Sequence, residues 1–166
     1  MTANIEKETW QAYVPYFVEA QQKLEQTDWF INNGWQYVTW ENTRFDTVSG
    51  QLYKANWFNH KRNGIHFDSW IGPKELEQHI IPVALHAHGD FPGGKKIIPF
   101  LAESVKLIAQ DWEGCTITPG SPFQPLILKL PFTKETLVAQ LLKMYAQVAQ
   151  LGTTIDYTIA ETTGKL

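Results

Sequence analysis

Between Gly64 and Gly94 the chain reads GIHFDSWIGPKELEQHIIPVALHAHGDFPGG, and two pieces of this stretch alternate strictly. In Ile65-His66-Phe67-Asp68-Ser69-Trp70-Ile71, the apolar Ile65, Phe67 and Ile71 take odd positions and His66 and Asp68 take even ones. In Val83-Ala84-Leu85-His86-Ala87-His88, Val83, Leu85 and Ala87 alternate with Ala84, His86 and His88. Side chains two apart on a strand point the same way. Each piece is therefore read as a half-buried strand, with one apolar face and one face carrying two titratable groups. A helical period does not produce this pattern. Two such strands call for one sheet with its apolar face covered and its other face partly solvated or cupped around a ligand.

If the two strands are neighbours, His66, Asp68, His86 and His88 converge, and Asp90 just past the second strand can join them. Three imidazoles and a carboxylate suit a divalent transition metal such as zinc, iron, manganese or nickel. The candidate ligands are His66, His86 and His88, with Asp68 or Asp90 as a fourth ligand or a catalytic base. Such a centre lowers the pKa of a bound water and serves hydrolysis. Without a metal, a His–Asp pair on this face can act as an acid–base pair. Trp40, Trp57 and Trp70 are candidate walls of a pocket that includes His66. His-x-His is far less specific than a helical His-Glu-x-x-His. The plainer reading of the same residues is a half-exposed polar face, its histidines bonded to Thr, Asp or backbone.

The rest of the chain supplies a framework for this stretch. Trp10, Tyr13, Val14, Phe17, Val18 and Leu24 predict an amphipathic helix capped at Asn4, with a kink or restart at Pro15. Glu19 and Lys23 stand at i, i+4 in the favourable order. Strand formers over 35–40, extending toward Phe45, and a second set at Leu52, Tyr53, Ala55, Trp57 and Phe58 predict two strands around a turn at 46–50. A turn at 60–64 leads into the Ile65 strand, and Gly72-Pro73 opens one or two helical turns. Pro82 places the start of the strand over 80–88 at an edge or bulge. Helices follow over 95–112, with Pro99 in the first turn and a stripe of Leu101, Val105, Ile108 and Trp112 widened by Leu107, and over 134–151, between Thr133 and Gly152. Between them lie short strands at 115–118 and 125–130, whose prolines suggest a sheet edge or a covering loop. Ile155 to Ile159 reads as a last strand or a disordered tail. The expected fold is α+β: one domain over residues 1–166, a mostly antiparallel meander of about six strands, and about three helices on one face.

Composition narrows the function classes. With 14 Lys plus Arg against 17 Asp plus Glu, the chain carries a net charge of -3 and no electrostatic footprint for nucleic acid. No apolar run reaches the ~18 residues of a membrane helix, and the N-terminus MTANIEKETW lacks a signal-peptide core, so a soluble, cytoplasmic protein is expected. The single cysteine, Cys115, excludes an intrachain disulfide. Gly93-Gly94-Lys95-Lys96 lacks P-loop spacing, and there is no nucleophile elbow or dinucleotide fingerprint. Three functions stay open. One is a domain that binds a small molecule or a partner on the polar, aromatic sheet face. Another is a metal-dependent hydrolase at the His-rich site. The third is a structural or interaction protein that self-associates, most simply as a homodimer.

Overall fold

The computed structural model describes residues 8–57, 64–88, 93–119, 121 and 123–163. The expected cap Asn4, Phe58, the turn residues 60–63, the candidate Asp90 and the turn residues 120 and 122 lie outside the described residues. The described residues form an α+β fold around one six-stranded antiparallel sheet. The strands are β1 (Trp35–Asn42), β2 (Thr47–Lys54), β3 (Ile65–Ile71), β4 (Ile80–Ala87), β5 (Cys115–Ile117) and β6 (Leu126–Pro131). Their order is β1-β2-β3-β4-β6-β5, so the meander runs through β4 and β6 then inserts between β4 and the edge strand β5. The prolines around β6 therefore bound an interior strand rather than an edge one.

Among the described residues six helices accompany the sheet: α1 (Val14–Leu24), α2 (Asp28–Asn32), α3 (Pro73–Gln78), α4 (Gly94–Ala109), α5 (Leu137–Ala149) and α6 (Gly152–Thr163). Odd-numbered residues of β3 and β4 face the apolar side, and register carries this face across the sheet: Leu52 pairs with Phe67, Phe67 with Leu85, and Leu85 with Leu126. Helices α1, α4, α5 and α6 lay Phe17, Leu101, Tyr145 and Ile155 into the same core. None of these helices is long and apolar enough to cross a membrane.

Several boundaries differ from expectation, each for a local reason. A 3-10 turn over Trp10–Tyr13 precedes α1, so Pro15 sits in the first helical turn, where its missing N–H costs little. Glu19 and Lys23 do pair on the exposed face of α1, at 2.8 Å. Strand β2 starts at Thr47 and ends at Lys54, because Val48 and Leu52 both reach the core; Ala55–Trp57 forms a 3-10 turn instead of strand. Pro99 lies in the second turn of α4, and the buried stripe is Ile97, Leu101, Val105 and Ala109, leaving Leu107 and Ile108 exposed. Gly152 begins α6 rather than ending the last helix, and it stands where a Cβ would come within 2.7 Å of the Trp35 ring. The segment 155–159 is helical, not a strand: Ile155 and Ile159, four apart, are buried together. The hydroxyls of Thr158 and Thr162 donate to carbonyls four residues back, at 2.9 and 2.6 Å, which satisfies these hydroxyls within the helix.

Pro82 illustrates how the sheet tolerates its proline. The His88 N–H donates to the Gly64 carbonyl on the β3 side and the Ala87 N–H to Phe123 on the β6 side. Backbone groups alternate along a strand, so position 82 faces β3, as 88 does. Pairing with β3 has already ended at Ser69 and Val83, so the missing N–H breaks no ladder bond.

Gly50, in the middle of β2, is fixed by two tyrosines. The Tyr145 hydroxyl donates to the Gly50 carbonyl at 2.8 Å and lies 3.2 Å from the Tyr37 hydroxyl. A Cβ at Gly50 would fall on the Tyr37 hydroxyl. Gly50→Ala is therefore expected to cost about 2 kcal/mol by overpacking and displacement of this buried network. Urea denaturation checks it, and a loss below about 0.5 kcal/mol, the range of inconsequential surface changes, would contradict the packing described.

Candidate functional site

The face of the sheet opposite the core helices α1, α4, α5 and α6 is built by the even positions of β3 and β4 and their register partners. His66 stands directly opposite His86, and Asp68 is flanked by Gln51 on β2 and Ala84 on β4. One row further on, Ser49 lies between Trp40 on β1 and Trp70 on β3. A small serine between two indoles leaves a hollow. The resulting cavity has a volume of about 430 Å³ and is lined by His66, Asp68, His86, His88, Ser49, Gln51, Trp40, Trp70, Gln124 and the β1–β2 hairpin residues Asn42, Phe45 and Thr47. His88 lies just past β4, but its N–H bond to Gly64 keeps the strand phase, so it shares the face of His86.

The three imidazoles form a compact group. Ring centres are 5.4 Å apart for His66 and His86, 5.9 Å for His66 and His88, and 6.3 Å for His86 and His88. One nitrogen from each lies within 4.8 Å of the others, so the three fit the donor set of a metal ion. His66 is buried, whereas His86 and His88 are half-buried. Trp70 stacks on His86 with ring centres 5.8 Å apart. The indole is held by α3, where one Glu75 carboxylate oxygen accepts from Trp70 Nε1 at 3.0 Å and the other from the Gly72 N–H at 3.0 Å.

His86 is contacted at both nitrogens. Its Nδ1 is 3.6 Å from Asp68 Oδ2, beyond hydrogen-bond length. Its Nε2 is 3.1 Å from the Gln124 amide nitrogen. With the amide oriented this way, Nε2 accepts and the ring hydrogen sits on Nδ1, facing Asp68.

Three buried polar atoms on this face, His66 Nδ1, Asp68 Oδ1 and Gln51 Oε1, have no hydrogen-bond partner among the described residues. Burial also sets their protonation. It pushes the Asp68 carboxyl up to about 8, opposed by the Ser69 backbone, so the group holds its proton at neutral pH. Burial, then neighbouring His86 and His88, pushes His66 down to about 3, opposed by the Gly64 backbone; burial and then His88 push His86 down to about 4. Asp68, His66 and His86 are therefore all uncharged near neutrality.

Of the residues singled out in the sequence, His66, Asp68, His86, His88, Trp40 and Trp70 meet in this cavity, and Trp57 does not. Trp57 sits in the 3-10 turn after β2, fully buried on the helix side against Trp35 and Phe67. Its indole N–H donates to Asp156 of α6 at 2.7 Å. Asp90 lies outside the described residues. Sequence reasoning missed Ser49, Gln51 and Gln124. The first two were readable from the alternation of Val48, Gly50 and Leu52 with Ser49 and Gln51, had β2 been extended to Thr47. Gln124 lies in an irregular loop, where no period announces it. The chain matches no known protein-family model, no curated protein and no solved structure.

Proposed function

We propose that the protein binds a small molecule in the cavity on the open face of its sheet. The observation that carries this reading is one hollow lined by His66, Asp68 and Gln51, each with a buried polar atom (Nδ1, Oδ1 and Oε1) that has no hydrogen-bond partner among the described residues. Leaving such atoms unsatisfied costs about 1–3 kcal/mol each, and a ligand with matching groups relieves that cost. The volume of about 430 Å³ falls within the usual range for small-molecule sites. Trp40 and Trp70 offer flat apolar walls, so the occupant combines a flat apolar part with hydrogen-bonding groups. The uncharged state of His66, His86 and Asp68 favours a neutral molecule over an ion for the metal-free cavity.

Ligand-observed NMR with a set of neutral aromatic amides and alcohols tests this on chelator-treated protein. Ser49→Leu fills the hollow between the two indoles while leaving the apolar core alone. Fragments are expected to bind the parent and to weaken more than about tenfold in Ser49→Leu, at unchanged thermal stability. Equal binding to both proteins, or none to the parent, would remove the reading.

A further inference from the structure

We infer that His66, His86 and His88 together hold one divalent transition-metal ion of the zinc class, with a coordination position left open to the cavity. This rests on the cavity being the binding site, and it names the chemistry at its deep end. The argument starts from distance. Three imidazoles bound to one ion at about 2.1 Å, splayed tetrahedrally, place their ring centres about 5 Å apart. The observed separations of 5.4, 5.9 and 6.3 Å exceed that by an ångström or so at most. Side-chain torsions alone supply that much closure, because the three histidines stand on adjacent antiparallel strands, with His66 and His86 directly paired.

Orientation adds a specific requirement. The His66 and His88 rings are within 19° of parallel and stacked, so their lone pairs do not meet at one point as they stand. One ring has to turn about its χ2, a broad and soft torsion. Half-buried His88 is the one free to do so, while buried His66 already presents an unpartnered Nδ1. Asp68 lies on the Nδ1 side of His86, where a carboxylate orients a ligating imidazole through its other nitrogen. Gln124, now on Nε2, occupies the direction from which the ion approaches His86.

The ligand count then sets the kind of site. A structural zinc centre closes with four protein ligands, whereas a reactive one keeps a position for water or substrate. Among the described residues the donor set is these three histidines. The remaining position faces the hollow walled by Trp40 and Trp70, and it would take a water or a lone-pair donor of the bound molecule.

Zn²⁺ or Co²⁺ alone, titrated into tag-free, chelator-treated protein, tests the inference. One equivalent of Zn²⁺ by calorimetry and an intense visible Co²⁺ spectrum of low coordination number are expected. His86→Ala and His88→Ala should each lower affinity at least tenfold, while His79→Asn, on an exposed residue outside the face, should change nothing. Circular dichroism identifies any variant that fails to fold, and His88→Ala, at the strand end, keeps the test decisive if His86→Ala does. A folded parent that takes no stoichiometric metal, or a folded His88→Ala that binds as well as the parent, would overturn the inference. Fragment binding that Ser49→Leu abolishes, in a parent that takes no metal, would overturn the metal centre alone. Stoichiometric metal with no fragment binding would uphold the centre and remove the small-molecule reading.

Discussion

Asp68→Asn is expected to make the metal-free protein more stable in mild alkali, with an advantage over the parent that grows on the order of 3 kcal/mol between about pH 5 and about pH 8. The Asp68 carboxyl is raised by burial from 3.8 to about 8. Across that window the folded protein keeps a proton that the unfolded chain has lost. Folding therefore takes up a proton, and stability falls as pH rises, until the folded carboxyl ionises near 8. Asn has nearly the same shape and no such proton, so the decline disappears in the variant. The buried histidines act on the other side. His66 and His86 are pushed from 6.5 down to about 3 and about 4, so below 6.5 the unfolded chain binds protons that the folded chain refuses. Their contribution is lost as pH falls toward 4. The three groups together place the parent's maximum near pH 6.5, and the variant holds a plateau above it. Chemical denaturation across this range, after chelation, checks the prediction. Equal stability of parent and variant in mild alkali would show that Asp68 is hydrated and ordinary.

Asp156→Ala is expected to cost about 3 kcal/mol, although Asp156 lies far from the cavity. Its carboxylate accepts from Lys54 Nζ at 2.6 Å, from Trp57 Nε1 at 2.7 Å and from Asn56 Nδ2 at 3.1 Å. Lys54 is only 12% exposed and lies over the Trp35 ring, 4.9 Å from its centre. Removing the carboxylate leaves an ammonium without its counter-charge and a fully buried indole with an unpaired N–H. Asp156→Asn keeps an acceptor for Trp57 and gives up only the charge, so its expected loss is nearer 1 kcal/mol. Guanidinium unfolding of both variants gives the comparison. A loss below about 0.5 kcal/mol for Asp156→Ala would mean that α6 is anchored by its apolar face alone.

The sequence carried the fold where one period dominated a segment. Strands β3 and β4 were legible because odd and even positions differ so sharply in polarity. The same alternation, once register is known, puts His66, Asp68, His86 and His88 on one face. Register itself is a long-range fact, and nothing local in β3 states that His66 stands across from His86. Trp57 misled because its neighbours look strand-like. Its indole N–H is satisfied by Asp156, a hundred residues on, and that bond draws the ring to the helix side. Helix α6 was hidden by its threonines and β-branched residues, whose poor intrinsic helicity is overridden by burial of Ile155 and Ile159 against the core. Gln124 reaches His86 from a loop, and loops leave no periodic trace.

The insertion of β6 between β4 and β5 bears on the order in which the molecule can be completed. When β1 to β4 have been synthesised, β4 pairs only with β3, and its other margin is a row of bare N–H and C=O groups beside buried apolar residues. That margin is covered when Leu126–Pro131 arrives, after α4 and β5. Closing such a distant pairing is slow, and an uncovered strand margin invites association with other chains. A nascent or truncated chain lacking β6 would thus expose one margin of the very strand that carries His86.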